Sequence, residues 1–207
     1  MQEQRKSESE INKSSTTTFL ASASVIYSVM AVTGALISIY VHGSFAEVTR
    51  VSRDLLLESA VLGGLGAGVL LILNYLLADF FPAYQEFKRM LVTILGPLSL
   101  VALVFLALVS SIGEELLFRV AIQPSFGLVA TSIIFGLLHM GPGGGISIWS
   151  LWALCAGLLI GWMFQRTGVI WGPVLCHFLV NAISMTRIRL TYIKETGTGD
   201  GKMTDEE

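Results

Sequence analysis

The chain has 207 residues, of which 53% are hydrophobic and only 14% are charged, and its net charge is −2. A soluble domain carries about a quarter charged residues, and a nucleic-acid-binding domain is normally basic. The composition therefore excludes both classes. The hydrophobic residues occur in long runs without alternation, and such runs cross a bilayer as α-helices. The predicted fold class is an all-α polytopic membrane protein of about six transmembrane helices with a polar active-site pocket inside the bundle.

The hydrophobic runs also predict the division of the chain. Residues 1–17 and 191–207 are polar tails, and residues 18–190 form the membrane helical domain. The six predicted spans cover approximately residues 18–41, 55–81, 91–119, 124–140, 148–164 and 168–188, and residues 82–90 are expected to form a loop or an interfacial turn. An even number of spans puts both tails on one side, where lysine and arginine are in excess. This bias predicts cytoplasmic termini, in the cell membrane if the source is prokaryotic.

The second predicted span is rich in glycine. Gly64 and Gly68 fit the GxxxG pattern, which lets two helix backbones approach closely. We expect this pair to mediate packing within the chain rather than dimerisation.

The end of the third predicted span carries three charges. Glu114 and Glu115 are adjacent, and Arg119 follows Glu115 by four residues. Charged side chains at membrane depth are costly, so they usually mark a functional site. The alternative is that the stretch is only the end of a spanning helix, where charged side chains reach towards the headgroups.

Two histidines in later spans favour a site. His139 ends the fourth predicted span, and His177 lies in the sixth with Asn181 four residues later, on the same helix face. Polar groups in lipid need polar partners, so we expect the three spans to converge on one pocket. In a simple serpentine, however, Glu114 and His139 would lie at opposite ends of their spans. We therefore expect a break or a re-entrant turn between residues 113 and 124.

The chemistry that fits these residues is hydrolysis. Two neighbouring carboxylates cannot both ionise cheaply at membrane depth. Arg119 would hold Glu115 as the anion and leave Glu114 free to take a proton from water as a general base. His139 could fix that water.

The remaining pair could stabilise the product of water attack. His177 and Asn181 lie side by side and could donate hydrogen bonds to a tetrahedral oxyanion. No nucleophilic side chain is then required.

Three short motifs in this order resemble a known family. They are Glu-Glu-x-x-x-Arg at 114–119, Phe-x-x-x-His at 135–139 and His-x-x-x-Asn at 177–181. The combination resembles the CPBP family of intramembrane proteases, which includes the type II CAAX prenyl endopeptidases and the bacteriocin-processing or self-immunity (Abi) proteins. The resemblance covers about residues 91–182, which form the protease-like core of the predicted membrane domain.

The resemblance implies an intramembrane endopeptidase of the glutamate type without a metal cofactor. Its substrate would be a membrane-anchored peptide or a prenylated protein in the lipid bilayer, with no nucleic acid involved. The resemblance also implies the site roles: Glu114 activates water with help from His139, His177 and Asn181 stabilise the oxyanion, and Glu115 and Arg119 support them.

Two other interpretations stay open. Glu114, His139 and His177 could supply three zinc ligands, with water in the fourth position, although the His-Glu-x-x-His signature is absent. Alternatively, the protein could be a proton-coupled transporter or a non-catalytic membrane scaffold, because buried Glu and His also serve as proton relays. A transporter would be favoured by internal inverted repeats, which the sequence does not display.

Overall fold

A computed structural model describes residues 2–141 and 145–197 of the chain. These residues form helices and contain no strand, so the predicted all-α class is confirmed. The elements, including two π-helical segments labelled π1 and π2, are α1 (Gln2–Ile37), π1 (Ser38–His42), α2 (Phe45–Val48), α3 (Arg53–Phe80), α4 (Pro82–Leu95), α5 (Leu100–Glu115), π2 (Leu116–Ile122), α6 (Gln123–Leu138), α7 (Ile148–Thr167) and α8 (Trp171–Thr196).

The described residues contain four stretches that are long and apolar enough to cross a bilayer. These stretches are Thr16–His42, Arg53–Ala78, Leu100–Leu138 and Ile148–Thr167. The predicted count of six is therefore not confirmed. The third and fourth predicted spans form one helical stretch, and α8 is more polar than the four because it carries site residues and several basic residues.

The apolar side chains on the outside indicate where lipid lies. On α1, Val25, Ile26, Val29 and Val32 are each more than half exposed. A contiguous apolar surface of this kind is not left to water in a monomeric soluble protein. Together with the four apolar stretches, it supports an integral membrane protein.

The region between the second and third predicted spans is helical, so the prediction of a loop over residues 82–90 is wrong. Pro82 occupies the first turn of α4, where its missing N–H costs nothing. The helix ends two residues before Pro97, and α5 begins at Leu100 rather than at the predicted residue 91. The Ser99 side chain caps α5 by accepting a hydrogen bond from the backbone N–H of Ala102 at 3.2 Å.

Both predicted polar tails are partly helical. Helix α1 begins at Gln2 and α8 continues to Thr196, so each extends a neighbouring span. The rest of the C-terminal tail, residues 198–207, lies outside the described residues. The same is true of residues 142–144 in the glycine-rich connection before α7.

The close approach of α3 to its neighbours does not use the predicted glycine pair. A Cβ atom at Gly64 or Gly68 would meet no atom within 4 Å. At Gly63, by contrast, it would come 2.9 Å from the carbonyl oxygen of Gly172 in α8, and Gly66 is similarly pressed against α7. The predicted contact within the chain exists, but it uses the adjacent face of the helix.

Helix α1 lies against α5 and π2 by backbone contact. A Cβ atom at Gly113 would come 2.7 Å from the carbonyl oxygen of Tyr27, and one at Gly34 would overlap the carbonyl group of Leu116. On the other side of the molecule, α8 packs against α3, α4, α5 and α7. This central position brings α8 next to the charged end of α5.

The chain reverses its direction at Gly127, inside α6. This residue has φ 77° and ψ 171°, a conformation open almost only to glycine. Gly127 lies 13 residues after Glu114 and 12 residues before His139, so the chain returns to the level of Glu114. A break in the helix was expected between residues 113 and 124, but that stretch stays helical through π2. The break lies at Gly127 instead.

We expect Gly127→Ala to destabilise the fold. A Cβ atom disfavours this backbone conformation, and we expect a cost of about 1–3 kcal/mol. The measurement is the thermal unfolding midpoint of the protein in detergent. Gly64→Ala is the matched control, because its site is helical and open, and its midpoint should not fall. Equal midpoints for wild type and Gly127→Ala would contradict the assignment of the reversal to Gly127.

Candidate active site

A buried carboxylate links two helices at the centre of the site. The Nε atom of Arg119 donates a hydrogen bond to Oε2 of Glu115 at 2.9 Å. The Nδ1 atom of His177, on α8, donates to Oε1 of the same carboxylate at 2.7 Å. Glu115 and Arg119 are completely buried. Such short, charge-assisted bonds fix both partners of the carboxylate in place.

The network continues along π2 to a residue that the sequence reasoning missed. The Nη1 atom of Arg119 donates to Oε1 of Gln123 at 3.3 Å, and the Nε2 atom of Gln123 donates to the carbonyl oxygen of Gly161 at 2.9 Å. A Cβ atom at Gly161 would come 2.7 Å from that Gln123 oxygen. The four-residue spacing of Glu115, Arg119 and Gln123 was the available signal. This chain of bonds ties π2 to α7.

Glu114 has a different environment from its neighbour. Its Oε2 atom is buried and has no hydrogen-bond partner. This atom lies 3.9 Å from Nε2 of His139 and also 3.9 Å from Nε2 of His177. Both separations are too long for direct hydrogen bonds and suit a bridging water molecule. The three groups line a cavity of about 160 Å³.

The hydrogen bonds of the two imidazoles determine which atoms face the cavity. Nδ1 of His139 lies 2.8 Å from the carbonyl oxygen of Phe135, and Nδ1 of His177 contacts the Glu115 carboxylate. Both partners are acceptors, so each Nδ1 atom carries the proton. The neutral form of each ring therefore presents the lone pair of Nε2 towards Glu114, and the doubly protonated form presents an N–H group there.

Asn181 lines the same cavity through its side-chain amide. Its Nδ2 atom donates to Oγ of Ser110 at 3.1 Å, and that hydroxyl donates to the carbonyl oxygen of Ala107 at 3.1 Å. Ser110 is a second residue that the sequence pattern did not single out. The structure places it on the cavity wall as the partner of Asn181.

Aromatic rings form much of the remaining wall. The Phe135 ring lies 4.3 Å from the ring of His139 and 6.3 Å from that of His177, measured between centroids. Trp149 and Trp152 stack on each other at 4.7 Å with an interplanar angle of 7°. These rings keep most water out, so that the few polar groups interact strongly.

Of the residues predicted from sequence, the structure brings all six together. Glu114, His139, His177 and Asn181 line the cavity, and the pair of supporting residues lies directly behind them. Within residues 2–141 and 145–197, no three His, Cys, Asp or Glu side chains are arranged to hold a metal ion. The cofactor assignment, none with zinc as the alternative, stays a prediction.

The two glutamates should differ sharply in their contribution to stability. Glu115→Gln removes the anion that neutralises buried Arg119, and breaking a buried ion pair in this way costs about 3–5 kcal/mol. Glu114→Gln removes a carboxylate whose Oε2 has no partner, so it should cost little. Thermal unfolding of both variants in detergent measures the difference, with the exposed Glu86→Gln as control. Equal losses for the two variants would contradict this division of roles.

The comparisons with known proteins agree with the position of the site. Residues 96–183 match the family model described as "Type II CAAX prenyl endopeptidase Rce1-like". The chain is 32% identical over 94 residues to the uncharacterized protein YpbD of Bacillus subtilis (strain 168). That alignment covers 44% of this chain and 48% of YpbD, so the chain matches about half the length of this curated relative. No solved structure matches the chain.

The matched segment contains the complete site. It begins in the turn before α5 and ends in α8, two residues after Asn181. The predicted family resemblance is confirmed, and residues 96–183 are similar to the Rce1-like type II CAAX prenyl endopeptidases.

Proposed function

We propose that the protein is an intramembrane endopeptidase that hydrolyses a peptide bond of a membrane-anchored substrate with a water molecule activated by Glu114 and His139. The observation that carries this proposal is the unpartnered Oε2 atom of Glu114, buried 3.9 Å from Nε2 of His139 on the wall of a cavity. The family match supports the coarser statement, a CAAX-type intramembrane peptidase.

The first step is the attack of water on the peptide carbonyl carbon. A water molecule in the gap donates one hydrogen bond to Glu114 and the other to the lone pair on Nε2 of His139. As the water oxygen bonds to the carbonyl carbon, Glu114 takes its proton as a general base. The same proton then passes to the leaving amine when the carbon–nitrogen bond breaks.

The second requirement is stabilisation of the oxyanion. The Asn181 amide has two N–H groups, of which one is directed to Ser110. His177 can donate from Nε2 only when its ring is doubly protonated, because Nδ1 is bonded to Glu115. The Glu115 carboxylate is then the counterion of that imidazolium. Donors fixed in this way, before reaction, contribute most of the rate in acyl-transfer sites.

Arg119 acts as a positioning residue in this proposal. It holds Glu115 as the anion, and Glu115 in turn orients His177. Arg119 itself does not line the cavity. Its substitution should therefore affect the reaction through His177 and through the fold.

The substrate is proposed from the surroundings of the cavity. The aromatic wall and the apolar exterior suit a peptide carried by a lipid or hydrophobic anchor. A prenylated CAAX-type protein and a leader peptide both meet this description. We place the protein in the cell membrane if its source is prokaryotic, with cytoplasmic termini.

Loss of either water-binding residue should abolish cleavage. Removal of a general acid–base group costs about 10²–10⁴-fold in rate. Initial rates would be measured with detergent-purified protein and a fluorogenic, lipid-anchored peptide library, comparing wild type with Glu114→Gln and His139→Ala. Glu86→Gln, on an exposed helix face, is the matched control and should retain full activity. A folded Glu114→Gln protein with wild-type rates would refute the mechanism. A folded wild type that cleaves no peptide would favour a transporter or scaffold instead.

Exhaustive chelation should leave the activity unchanged, because the proposed water is held by Glu114 and His139 alone. The measurement is the cleavage rate before and after dialysis against a zinc chelator. A loss of activity that added zinc restores would overturn the metal-free mechanism. Glu114, His139 and His177 would then be assigned as ligands of a catalytic zinc ion.

A further inference from the structure

A second and larger cavity adjoins the candidate active site. It has a volume of about 400 Å³ and lies among the C-terminal part of α3, α4, the start of α7 and α8. Four residues line both cavities: Trp149, Trp152, Val180 and Asn181. The two cavities are therefore neighbours that share these four wall residues, and we call the larger cavity the α4–α8 groove.

The α4–α8 groove combines an apolar wall with positive charge. Tyr75, Tyr84 and Phe87 contribute aromatic surface. The basic residues are Lys88, Arg187 and Lys194, whereas none of the described lining residues is acidic.

None of the three groove cations forms an ion pair among the side chains that the structure describes, those of residues 16–78, 80–82, 84–141 and 145–197. The ion pairs among these side chains involve Arg119, Arg166, His139 and His177. The guanidinium carbon of Arg187 lies 5.6 Å from the centroid of the Tyr75 ring. A cation–π contact of this kind holds the guanidinium in place without cancelling its charge. The groove thus has the electrostatics of a site for an anion attached to an apolar chain.

The spacing along α8 relates this positive charge to the reacting bond. Arg187 follows Asn181 by six residues, which is about 9 Å of helix at a rise of roughly 1.5 Å per residue. Lys194 follows Asn181 by 13 residues, or about 20 Å. An extended peptide advances about 3.3 Å per residue. A peptide whose carbonyl group lies at Asn181 would therefore reach the two cations after about three and six residues respectively.

We propose that the α4–α8 groove binds the peptide segment next to the scissile bond, and that Arg187, with Lys88 and Lys194, binds a carboxylate of that segment about three to six residues away. The carboxylate is either the C-terminal group of the substrate or an acidic side chain. This inference rests on the proposed peptidase function. It favours a peptide over an anionic lipid headgroup, because the groove and the catalytic cavity share Asn181 as a wall residue.

The test compares three N-palmitoylated fluorogenic peptides that share one sequence. One ends in a free carboxylate, one in a carboxamide, and one in a carboxamide preceded by a glutamate. Dissociation constants would also be measured by fluorescence anisotropy on the Glu114→Gln protein, so that binding is read without turnover. We expect KM and Kd to be about tenfold lower for a carboxylate peptide than for the plain amide, as for loss of one charge-assisted hydrogen bond. The peptide that has the lower KM and Kd shows whether the carboxylate is the C-terminal group or an acidic side chain.

Arg187→Gln should remove this difference by raising KM and Kd of the carboxylate peptide about tenfold, to the values of the plain amide. Lys194→Gln, at a second exposed position, provides an independent variant in case Arg187→Gln folds poorly. Arg53→Gln is the matched control, because this exposed arginine begins α3 at the end away from the groove. It should keep the preference for the carboxylate.

The outcomes separate this inference from the function on which it rests. Equal KM and Kd for all three peptides would overturn the inference and leave the peptidase function intact. A third result would be that phosphatidylglycerol stabilises wild type but not Arg187→Gln, while the three peptides bind with equal Kd. This result would assign the groove to a lipid headgroup and would also overturn the inference. Carboxylate-dependent binding without cleavage of any peptide would support the groove assignment and refute the peptidase function.

Discussion

The Glu115 carboxylate accepts hydrogen bonds from Arg119 and His177 in a place from which solvent is completely excluded. Moving these charges out of water is costly, and only close pairing with good geometry offsets that cost. The pairing joins π2, which carries Arg119, to α8, which carries His177. Through Gln123 the same network reaches the backbone of α7 at Gly161. The relative position of three helices therefore depends on one ionised side chain.

The two adjacent glutamates show how one helix end can serve two purposes. Glu115 is fully paired, whereas the Oε2 atom of Glu114 is buried without a partner and faces two imidazole nitrogens. A stretch built only for stability would not leave a carboxylate oxygen in that state, since buried polar groups are normally satisfied. The fully paired glutamate thus supports the unpaired arrangement of its buried neighbour. Arg119 also contacts the face of the Phe135 ring, with 5.5 Å between its guanidinium carbon and the ring centroid, which extends this support to α6.

The residues that meet at the candidate site could be predicted from the sequence because charge and imidazole are rare in apolar segments. Their positions relative to one another could be inferred only over short spacings, such as the four residues from Glu115 to Arg119. Gln123 and Ser110 were missed, since an amide or a hydroxyl near a helix end has many ordinary explanations. The sequence shows the spacing of these residues, but it does not show which neighbouring helix they contact.

The path of the chain was harder to predict than the site. Hydropathy identifies apolar stretches, but it does not show where such a stretch reverses, and the single-residue turn at Gly127 leaves no polar gap. The helix α4 was read as a loop because its polar residues interrupt the apolar run, although they are compatible with an amphipathic helix. The predicted GxxxG pair failed for a related reason, since spacing alone does not determine which face of α3 meets a neighbour.

The reversal at Gly127 leaves two arms of unequal length. The returning arm, residues 128–138, has 11 residues and spans about 17 Å, roughly half of a 30 Å hydrocarbon layer. His139, which follows this arm, is therefore separated from the turn at Gly127 by about half of that thickness, and non-helical backbone follows at Met140 and Gly141. Irregular backbone is tolerated at membrane depth only where protein covers it or water reaches it. A helix of half the membrane thickness thus ends in a segment that protein must cover or water must reach, next to the candidate site.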